Sequence, residues 1–272
     1  MSPTINGFFD EVYVVNLKRD LPQRLQMRAQ LHRLGIDFKL WEATDGGQAP
    51  HLAGYEAYAQ QPIGQIDDPK YAQIERKRGT KLIHSPGAWG YMQTYLGLLR
   101  HLQARGVGSV LVLEDDVLLD QDFAVRFAAL AKTLPSEWMA LLLGASQYGW
   151  EGIDDAAARG RGYYEARPNE TCGSFALGLR ADALGPLIEA TARMLAPFDF
   201  HALAELYAAH PARCLVAYPA LAMPDDTWEK EKSEVKVGKP KSDRSPMKAT
   251  RSPVEMAPRR SSQAAWAKPA LM

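Results

Sequence analysis

The sequence predicts an α/β fold in which helices flank a mostly parallel central sheet. Short apolar runs alternate with longer stretches in which apolar residues recur at helical spacing. The apolar runs are typical of strands covered on both faces, and the alternation is typical of strand, helix, strand units. A chain of 272 residues, 46% of them hydrophobic, is long enough for one main domain with a sizeable core.

The first predicted unit lies at the start of the chain. Residues 12–17 are rich in β-branched side chains and predict a buried strand. Asp20 is then a candidate N-cap, with Pro22 in the first helical turn and Gly35 as the stop. The predicted helix carries one leucine stripe, formed by Leu21, Leu25, Leu31 and Leu34. Residues 38–43 predict the next strand.

The middle of the chain is predicted to hold a long loop followed by a helix and a strand. Residues 44–83 are rich in Gly, Pro, Gln and charge without a sustained period, which favours a loop or an irregular lobe. Ser85 and Pro86 form a strong helix start, and apolar residues at helical spacing continue toward Gly106. Residues 109–113 predict another buried strand.

The remaining sequence predicts the rest of the α/β sandwich and a tail. Strands are expected at residues 139–143, 172–179 and 214–218, and helices at residues 182–195 and 199–209. From residue 229 onward the chain is rich in Lys, Ser, Pro and Arg. We therefore expect a folded domain over residues 1–228 and a disordered basic tail over residues 229–272.

Composition excludes several classes of protein. The formal net charge is zero, so charge alone does not suggest a nucleic-acid partner. The two cysteines, Cys172 and Cys214, give neither a disulfide framework nor a metal-type spacing. No apolar run approaches the roughly 18–20 residues that span a bilayer, and the first residues lack the order of a signal peptide. We expect a cytoplasmic protein, with a basic tail that either contacts the inner face of the membrane or has no partner.

Three adjacent acids, Glu114, Asp115 and Asp116, end the strand predicted at residues 109–113. Carboxylates near a low-dielectric core are costly unless cations or hydrogen-bond donors meet them. In open α/β sheets, the ligand crevice lies at the carboxyl ends of the strands. Hard carboxylate oxygens suit Mg²⁺ or Mn²⁺, which could bridge to a diphosphate. The alternative is an acidic turn in which Asp115 or Asp116 caps the next helix.

Four segments resemble glycosyltransferase family 25, which includes bacterial lipopolysaccharide glycosyltransferases and collagen galactosyltransferases. The acidic segment, residues 111–117, is the most specific. The other segments occur in the family's order, and the likeness extends over residues 12–233. These other segments are residues 14–19 with Arg24, residues 43–46, and residues 197–200 with residues 218–219.

The resemblance implies a GT-A type fold and an inverting transfer of a hexose, galactose or glucose, from a UDP-sugar to a hydroxyl of a glycan. It places Asp115 and Asp116 on the metal and diphosphate, with Glu114 supporting them or contacting the ribose. The nucleotide would be surrounded by Asn16, Arg19, Arg24 and Asp45. Guanidinium groups pair bidentately with phosphates, although Arg19 and Arg24 could equally lie on a solvated helix face.

The resemblance also names a candidate base and one departure. Asp199 matches an acid of the family's late motif and could accept the proton of the acceptor hydroxyl; an N-cap role is the alternative. His201, Asp225 and Asp226 are the next candidates. Tyr91 and Tyr95 stand where the family commonly has Cys and His, and tyrosine does not titrate near neutral pH.

Two further functions stay open on the sequence alone. One is a catalytically silent, glycosyltransferase-like protein that binds a nucleotide or a glycan. The other is a metal-dependent phosphohydrolase, which would normally need more acids or histidines at other strand ends. Turnover of a UDP-sugar distinguishes the enzyme from the silent binder.

Overall fold

The computed structural model describes residues 3–225. Met1–Pro224 form one compact unit. Asp225–Met272 form a second unit, of which only Asp225 is described. The predicted basic tail, residues 229–272, therefore lies outside the described residues, and the domain boundary after residue 228 stays a prediction.

Nine α-helices and eleven strands occupy residues 3–225. The helices are α1 Ile5–Phe8, α2 Leu21–Arg33, α3 His51–Ala59, α4 Pro69–Arg78, α5 Pro86–Ala104, α6 Phe123–Thr133, α7 Asp155–Arg161, α8 Ala181–Ala192 and α9 Ala202–Ala209. The strands are β1 Glu11–Asn16, β2 Lys39–Glu42, β3 Ser109–Glu114, β4 Val117–Leu119, β5 Ala140–Leu142, β6 Ser146–Gln147, β7 Tyr163–Glu165, β8 Thr171–Cys172, β9 Ala176–Arg180, β10 Cys214–Ala217 and β11 Ala222–Pro224.

Seven strands form the central sheet, in the order β2-β1-β3-β9-β5-β10-β7. β1 pairs in parallel with both β2 and β3, and β5 pairs in parallel with β10. β9 is antiparallel to β3 and to β5, so β3 and β5 run in the same direction. β7 is antiparallel to β10. The predicted α/β fold with a mostly parallel sheet is confirmed, because only β9 and β7 run against the other five strands.

Side chains of the central strands alternate between two core layers, one on each face of the sheet. On β1, Val12 and Val14 join a cluster that includes side chains of α2 and α6. Tyr13 and Val15 point the other way and join a cluster with side chains of α5, α8 and α9. This period of two is what a strand covered on both faces produces. The ends of β1 and β3 are therefore the places where polar groups can meet solvent.

The helix after β1 forms as predicted, and Leu31 and Leu34 of its leucine stripe pack in the core. The first half of the stripe is wrong. Leu21 and Leu25 are 46% and 54% exposed. The buried face carries Gln30 instead, whose Nε2 donates to Val117 O at 2.9 Å and whose Oε1 accepts from Leu119 N at 2.9 Å. The physical reason is that this face of α2 covers the backbone of β4, whose polar groups need hydrogen-bond partners that leucine cannot supply.

The segment predicted as a loop, residues 44–83, contains helices α3 and α4. The fully buried carboxylate of Glu75 organises the segment. It accepts hydrogen bonds from Tyr58 Oη, Gly64 N, Lys81 Nζ and Leu82 N at 2.9–3.4 Å. The order of this lobe depends on a satisfied buried charge, which an apolar periodicity does not reveal.

Two later elements also differ from prediction. The strand expected at residues 172–179 is divided into β8 and β9 by Gly173, whose φ of +102° is a backbone conformation that favours glycine. The helix expected from residue 199 begins at Ala202. No helix within residues 3–225 is both long and apolar enough to cross a membrane.

Candidate active site

Asn16 and Asp115 meet at the carboxyl ends of the neighbouring parallel strands β1 and β3. Asn16 Nδ2 donates to Asp115 Oδ2 at 2.5 Å and to Asp20 O at 3.0 Å. Asn16 is only 4% exposed. The pair lies where open α/β sheets form their ligand crevice, and the two residues are brought together by the parallel pairing of β1 with β3.

Asp115 and Asp116 occupy the turn between β3 and β4. The next helix, α6, begins at Phe123 after Asp122, so the alternative in which either acid caps it is wrong. The pKa of Asp115 is raised to about 6, chiefly because burial removes the carboxylate from water. The nearby charge of Asp116 acts in the same direction. A cation at this turn would therefore be stabilised by carboxylates that water reaches poorly.

Glu114, the last residue of β3, turns toward α5 and the β8–β9 loop. Its Oε1 accepts a hydrogen bond from Ser174 Oγ at 2.6 Å and from Tyr95 Oη at 3.0 Å. Burial is the main reason why the pKa of Glu114 is raised to about 7, and the charges of Asp116 and Asp199 raise it too. Glu114 is thus held by neutral donors and has no cationic partner among the hydrogen bonds and ion pairs of residues 3–225.

Tyr91 and Tyr95, the residues that depart from the family pattern, line this same network. Tyr91 Oη lies 2.7 Å from Ser174 Oγ. The ring of Tyr95 stacks on Phe198 with centroids 4.3 Å apart. Burial raises the pKa of both phenols well above 10, so they remain neutral hydrogen-bond donors. They position Ser174 and Glu114 and do not themselves exchange protons near neutral pH.

Asp199 lies in the segment before α9, next to this network, since it contacts Gly173, the neighbour of Ser174. Its Oδ2 accepts a hydrogen bond from Gly173 N at 3.0 Å. Burial raises the pKa of Asp199, and its charge contributes to the raised pKa of Glu114. It is not an N-cap, since the residue that precedes α9 is His201. The carboxylate is therefore fixed by the backbone of the β8–β9 loop, beside the network around Glu114.

Arg19 and Asp45 form an ion pair at the ends of β1 and β2. Asp45 also accepts from Gly47 N and Gln48 Nε2, both at 3.0 Å. The Arg19 side chain is 58% exposed, so it is accessible to a ligand. The side chain of Arg24 lies half-buried on α2 and forms no ion pair within residues 3–225.

Gly46 and Gly90 let the loop after β2 contact the first turn of α5. A Cβ at Gly46 would lie 1.7 Å from Pro86 O, and one at Gly90 would lie 2.4 Å from Thr44 O. Thr44 N donates to Thr94 Oγ1 at 2.8 Å, which completes the junction. The close backbone approach explains why glycine is needed at both positions, and it fixes the loop that carries Asp45.

The donor atoms around Asp115 fit a divalent cation that a substrate completes. No group of three or more His, Cys, Asp and Glu side chains in residues 3–225 is arranged as a full metal site. Mg²⁺ and related ions often use one or two carboxylates together with phosphate oxygens and water. Asn16 Oδ1 is buried and has no hydrogen-bond partner among the described residues. It lies on the side chain that contacts Asp115, and both supply hard oxygen ligands.

Other predicted and unpredicted residues complete the site. His201 is fully buried between the Tyr71 ring, at 4.9 Å, and Glu205, and it forms no hydrogen bond with Glu114, Asp115 or Asp199 in residues 3–225. Asp226 lies outside the described residues, and Asp225 belongs to the second unit. Ser174 was missed by sequence reasoning. Its only signal is its place after Gly173, in a predicted strand that glycine interrupts.

Residues 9–167 match the sequence model of "Glycosyltransferase family 25 (LPS biosynthesis protein)". The human "Inactive glycosyltransferase 25 family member 3" is 27% identical over 142 residues, which are 51% of this chain and 22% of that protein. Zebrafish (Danio rerio) "Procollagen galactosyltransferase 1" is 23% identical over 222 residues, which are 78% of this chain and 35% of that protein.

Mouse (Mus musculus) "Procollagen galactosyltransferase 2" is 22% identical over a stretch of the same length and covers 34% of that protein. The chain thus spans between a fifth and about a third of the length of these relatives. Among solved structures, "mannose-1-phosphate geranyltransferase" from Thermus thermophilus is similar over 76% of this chain and 72% of that chain, with 14% identity and a TM-score of 0.34.

Proposed function

Because this chain belongs to glycosyltransferase family 25, we propose that it transfers a hexose, galactose or glucose, from a UDP-sugar to a hydroxyl group of a glycan or lipid-linked acceptor. The names of two relatives, procollagen galactosyltransferases, support galactose as the first sugar to test. The proposal includes a Mn²⁺ or Mg²⁺ ion and inversion at the transferred carbon.

The observation that carries the proposal is the contact of Asn16 with Asp115 at adjacent strand ends. Burial and the charge of Asp116 raise the pKa of Asp115. A cation at this turn would be stabilised because it offsets that unfavourable negative charge. A bound Mn²⁺ or Mg²⁺ supplies positive charge that stabilises UDP as a leaving group. Asp115 and Asp116 would hold that ion together with the diphosphate, and Asn16 Oδ1 is a further oxygen donor.

The residues around the acids have separate roles in donor binding. Arg19, which is exposed and paired with Asp45, can reach a phosphate or the uridine, and Arg24 lies on the adjacent helix. Glu114 is held by Tyr95 and Ser174, and its fixed orientation suits a hydrogen bond to the ribose or support of the acids. These assignments follow the resemblance residue by residue.

Asp199 is the proposed general base. In a single inverting displacement, the acceptor oxygen forms a bond to the sugar's anomeric carbon as the bond to the diphosphate oxygen breaks. The hydroxyl proton passes to Asp199, and UDP carries the negative charge away. Gly173 N holds Asp199 Oδ2 in place, and burial raises the pKa of the carboxylate, which strengthens it as a base.

Release of UDP tests the proposal. We expect slow UDP release from UDP-galactose or UDP-glucose in the presence of Mn²⁺, and no release after chelation with EDTA. Thermal stabilisation by UDP, GDP and CMP sugars, with and without Mn²⁺, identifies the nucleotide independently of turnover, since a ligand that binds the native state raises its apparent stability. Stabilisation by a GDP-sugar or CMP-sugar alone would contradict the UDP assignment.

A second candidate function is a silent protein that binds nucleotide or glycan without transfer. Tyr91 and Tyr95 favour it, because neutral phenols occupy positions where the family commonly has Cys and His. One relative is itself named inactive. Nucleotide-dependent stabilisation without any UDP release, under conditions where acceptor glycans are also supplied, identifies this function.

A further inference from the structure

Tyr148 presents an exposed aromatic ring just beyond β6. It is 69% exposed, and Trp150, at 46%, is the one other exposed aromatic residue within residues 3–225. Trp150 contacts two further rings, Tyr164 at 5.6 Å and Tyr218 at 5.9 Å. No ring contact of this kind is found for Tyr148 in the described part of the chain. The ring therefore leaves an apolar face and a hydroxyl edge in contact with solvent, where a ligand can pack against it.

The ribbon formed by β6 and β8 fixes the direction of Tyr148. Ser146 pairs with Cys172, and Tyr148 N donates to Glu170 O at 2.8 Å, which continues the antiparallel pairing. Because side chains two residues apart lie on the same face of a strand, Tyr148 shares its face with Ser146 and Cys172.

The opposite face of the ribbon is anchored to the core. Thr171 Oγ1 donates to Gln147 Oε1 at 2.7 Å, and Tyr164 Oη lies 3.3 Å from the same oxygen. Thr171 is fully buried. The face that carries Tyr148 is less buried, since Tyr148 is exposed while Ser146 and Cys172 are half-buried.

This face lies beside the proposed base. From Cys172 the chain continues to Gly173, whose N–H holds Asp199 Oδ2 at 3.0 Å. Burial raises the pKa of Tyr148 and of Cys172, and in both cases the charge of Asp199 adds to the effect. The ribbon pairing therefore places Tyr148 on the same face as Cys172, the residue that directly precedes the Gly173 contact with Asp199.

We infer that Tyr148 is the platform on which a pyranose ring of the acceptor stacks, which makes the acceptor a glycan rather than a protein side chain. This inference rests on the proposed function. A flat ring with a polar hydroxyl at its edge matches a sugar, whose apolar C–H face packs on the aromatic surface while its hydroxyls stay in water. Asp199, held by the N–H of Gly173 next to this ribbon, would then contact the acceptor hydroxyl.

Saturation-transfer NMR tests the inference without turnover. The probes are methyl β-D-galactopyranoside and methyl β-D-glucopyranoside at millimolar concentration, added to the full chain with UDP and Mn²⁺. We expect one of them to bind the wild type and the Tyr148→Phe variant. The Tyr148→Ala variant should bind it about fivefold to tenfold more weakly, as loss of one aromatic contact predicts.

Trp150→Ala is the matched control, since it removes the neighbouring exposed ring, and it should bind the pyranoside like the wild type. The inference is overturned if no pyranoside binds the wild type, if Tyr148→Ala binds as well as the wild type, or if a procollagen peptide binds in a Tyr148-independent manner while pyranosides do not. UDP release by the wild type, measured separately, tests the proposed transferase activity independently of the sugar-binding role of Tyr148. Ring-dependent pyranoside binding without UDP release would contradict the transferase and leave the sugar site standing.

Discussion

Glu114 and Asp199 are two half-buried carboxyl residues on either side of the Gly173–Ser174 segment, and their hydrogen-bond donors differ. Glu114 accepts from a serine and a tyrosine, whereas Asp199 accepts from the Gly173 backbone N–H. Burial is the main cause that raises the pKa of Glu114, and the charges of Asp116 and Asp199 add to it. Side-chain hydroxyl groups therefore orient Glu114, whereas a backbone N–H orients Asp199.

Asp115→Asn and Asp116→Asn should each keep the fold and remove most of the transferase activity. Asparagine has nearly the same shape but lacks the charge that binds a divalent cation. Asp37→Asn, on an exposed remote position, is the matched control and should be fully active. Turnover is measured at saturating UDP-sugar and limiting Mn²⁺, and undiminished turnover of either variant would remove that acid from the site.

Asp199→Asn should bind the donor normally and lose about 10²-fold or more in turnover, as loss of a general base predicts. The amide oxygen can still accept the hydrogen bond from Gly173 N, so the melting temperature should stay near that of the wild type. The measurements are UDP release and thermal unfolding. If turnover persists in a stable Asp199→Asn protein, Asp199 only positions the β8–β9 loop.

The free energy of unfolding should depend on pH through the titration of Glu114. Its pKa is raised to about 7 in the folded protein from an ordinary value of 4.5, so the folded state holds its proton more tightly than the unfolded state does. Without metal, the contribution of Glu114 to the free energy of unfolding should be largest below about pH 4.5. It should be lost as the pH rises through 7.

The contribution of Glu114 to this loss should amount to about 2–3 kcal/mol between pH 5 and pH 8. Glu114→Gln keeps an acceptor for Tyr95 and Ser174 but cannot ionise, so its unfolding free energy in urea should fall less over the same range. An identical pH slope in the wild type and Glu114→Gln would show that Glu114 is not the titrating group.

At the scale of elements, the junction between the β2 loop and α5 is a backbone contact. Gly46 and Gly90 permit it, and the N-cap Ser85 holds the first turn of α5 by accepting from Ala88 N at 3.1 Å. In the sequence, Ser85 predicts only a helix start, and residues 43–46 only a motif of the family. Their contact explains why both include glycine.

Gly46→Ala should destabilise the protein by about 1–3 kcal/mol or more, because its Cβ would overlap Pro86 O and the backbone must shift. Gly87→Ala is the matched control, since the nearest atom to its Cβ would be Ser85 Oγ at 3.8 Å. Urea unfolding of both variants measures the difference. Equal stability of the two would mean that the loop moves away without cost.

At the scale of the whole molecule, two core layers separate the helices and leave the carboxyl ends of β1 and β3 as a crevice. The alternation of Val12 and Val14 against Tyr13 and Val15 builds both layers from one strand. Positive charge is concentrated near the C-terminal end of the sequence. Residues 234–272 carry nine Lys and Arg residues against three Asp and Glu residues.

If the basic tail contacts an anionic membrane surface, removing it should abolish sedimentation with vesicles. Each Lys or Arg near such a surface contributes about 1 kcal/mol at physiological salt. A chain truncated after Ser233 is compared with the full chain, using phosphatidylglycerol vesicles and neutral phosphatidylcholine vesicles as the control. Equal sedimentation of the two chains would rule out docking through the tail.

The sequence by itself determined the strand-helix alternation, the α5 start at Ser85 and the acids at the end of β3. These features are local, because periodicity, capping and the end of an apolar run are written in consecutive residues. The local interpretation failed for Leu21 and Leu25 of α2, where Gln30 is buried against the backbone of β4 instead. It also failed for residues 44–83, where the buried Glu75 orders two helices.

Only the tertiary structure decided how the site is assembled. Asn16 contacts Asp115 across 99 positions of the chain, because β1 and β3 pair in parallel. Ser174 donates to Glu114, and Gly173 N donates to Asp199, through contacts between segments that are distant in the sequence. Long-range contacts follow from how the sheet brings distant strand ends together, so the sequence supplied the chemical groups and the fold decided which of them meet.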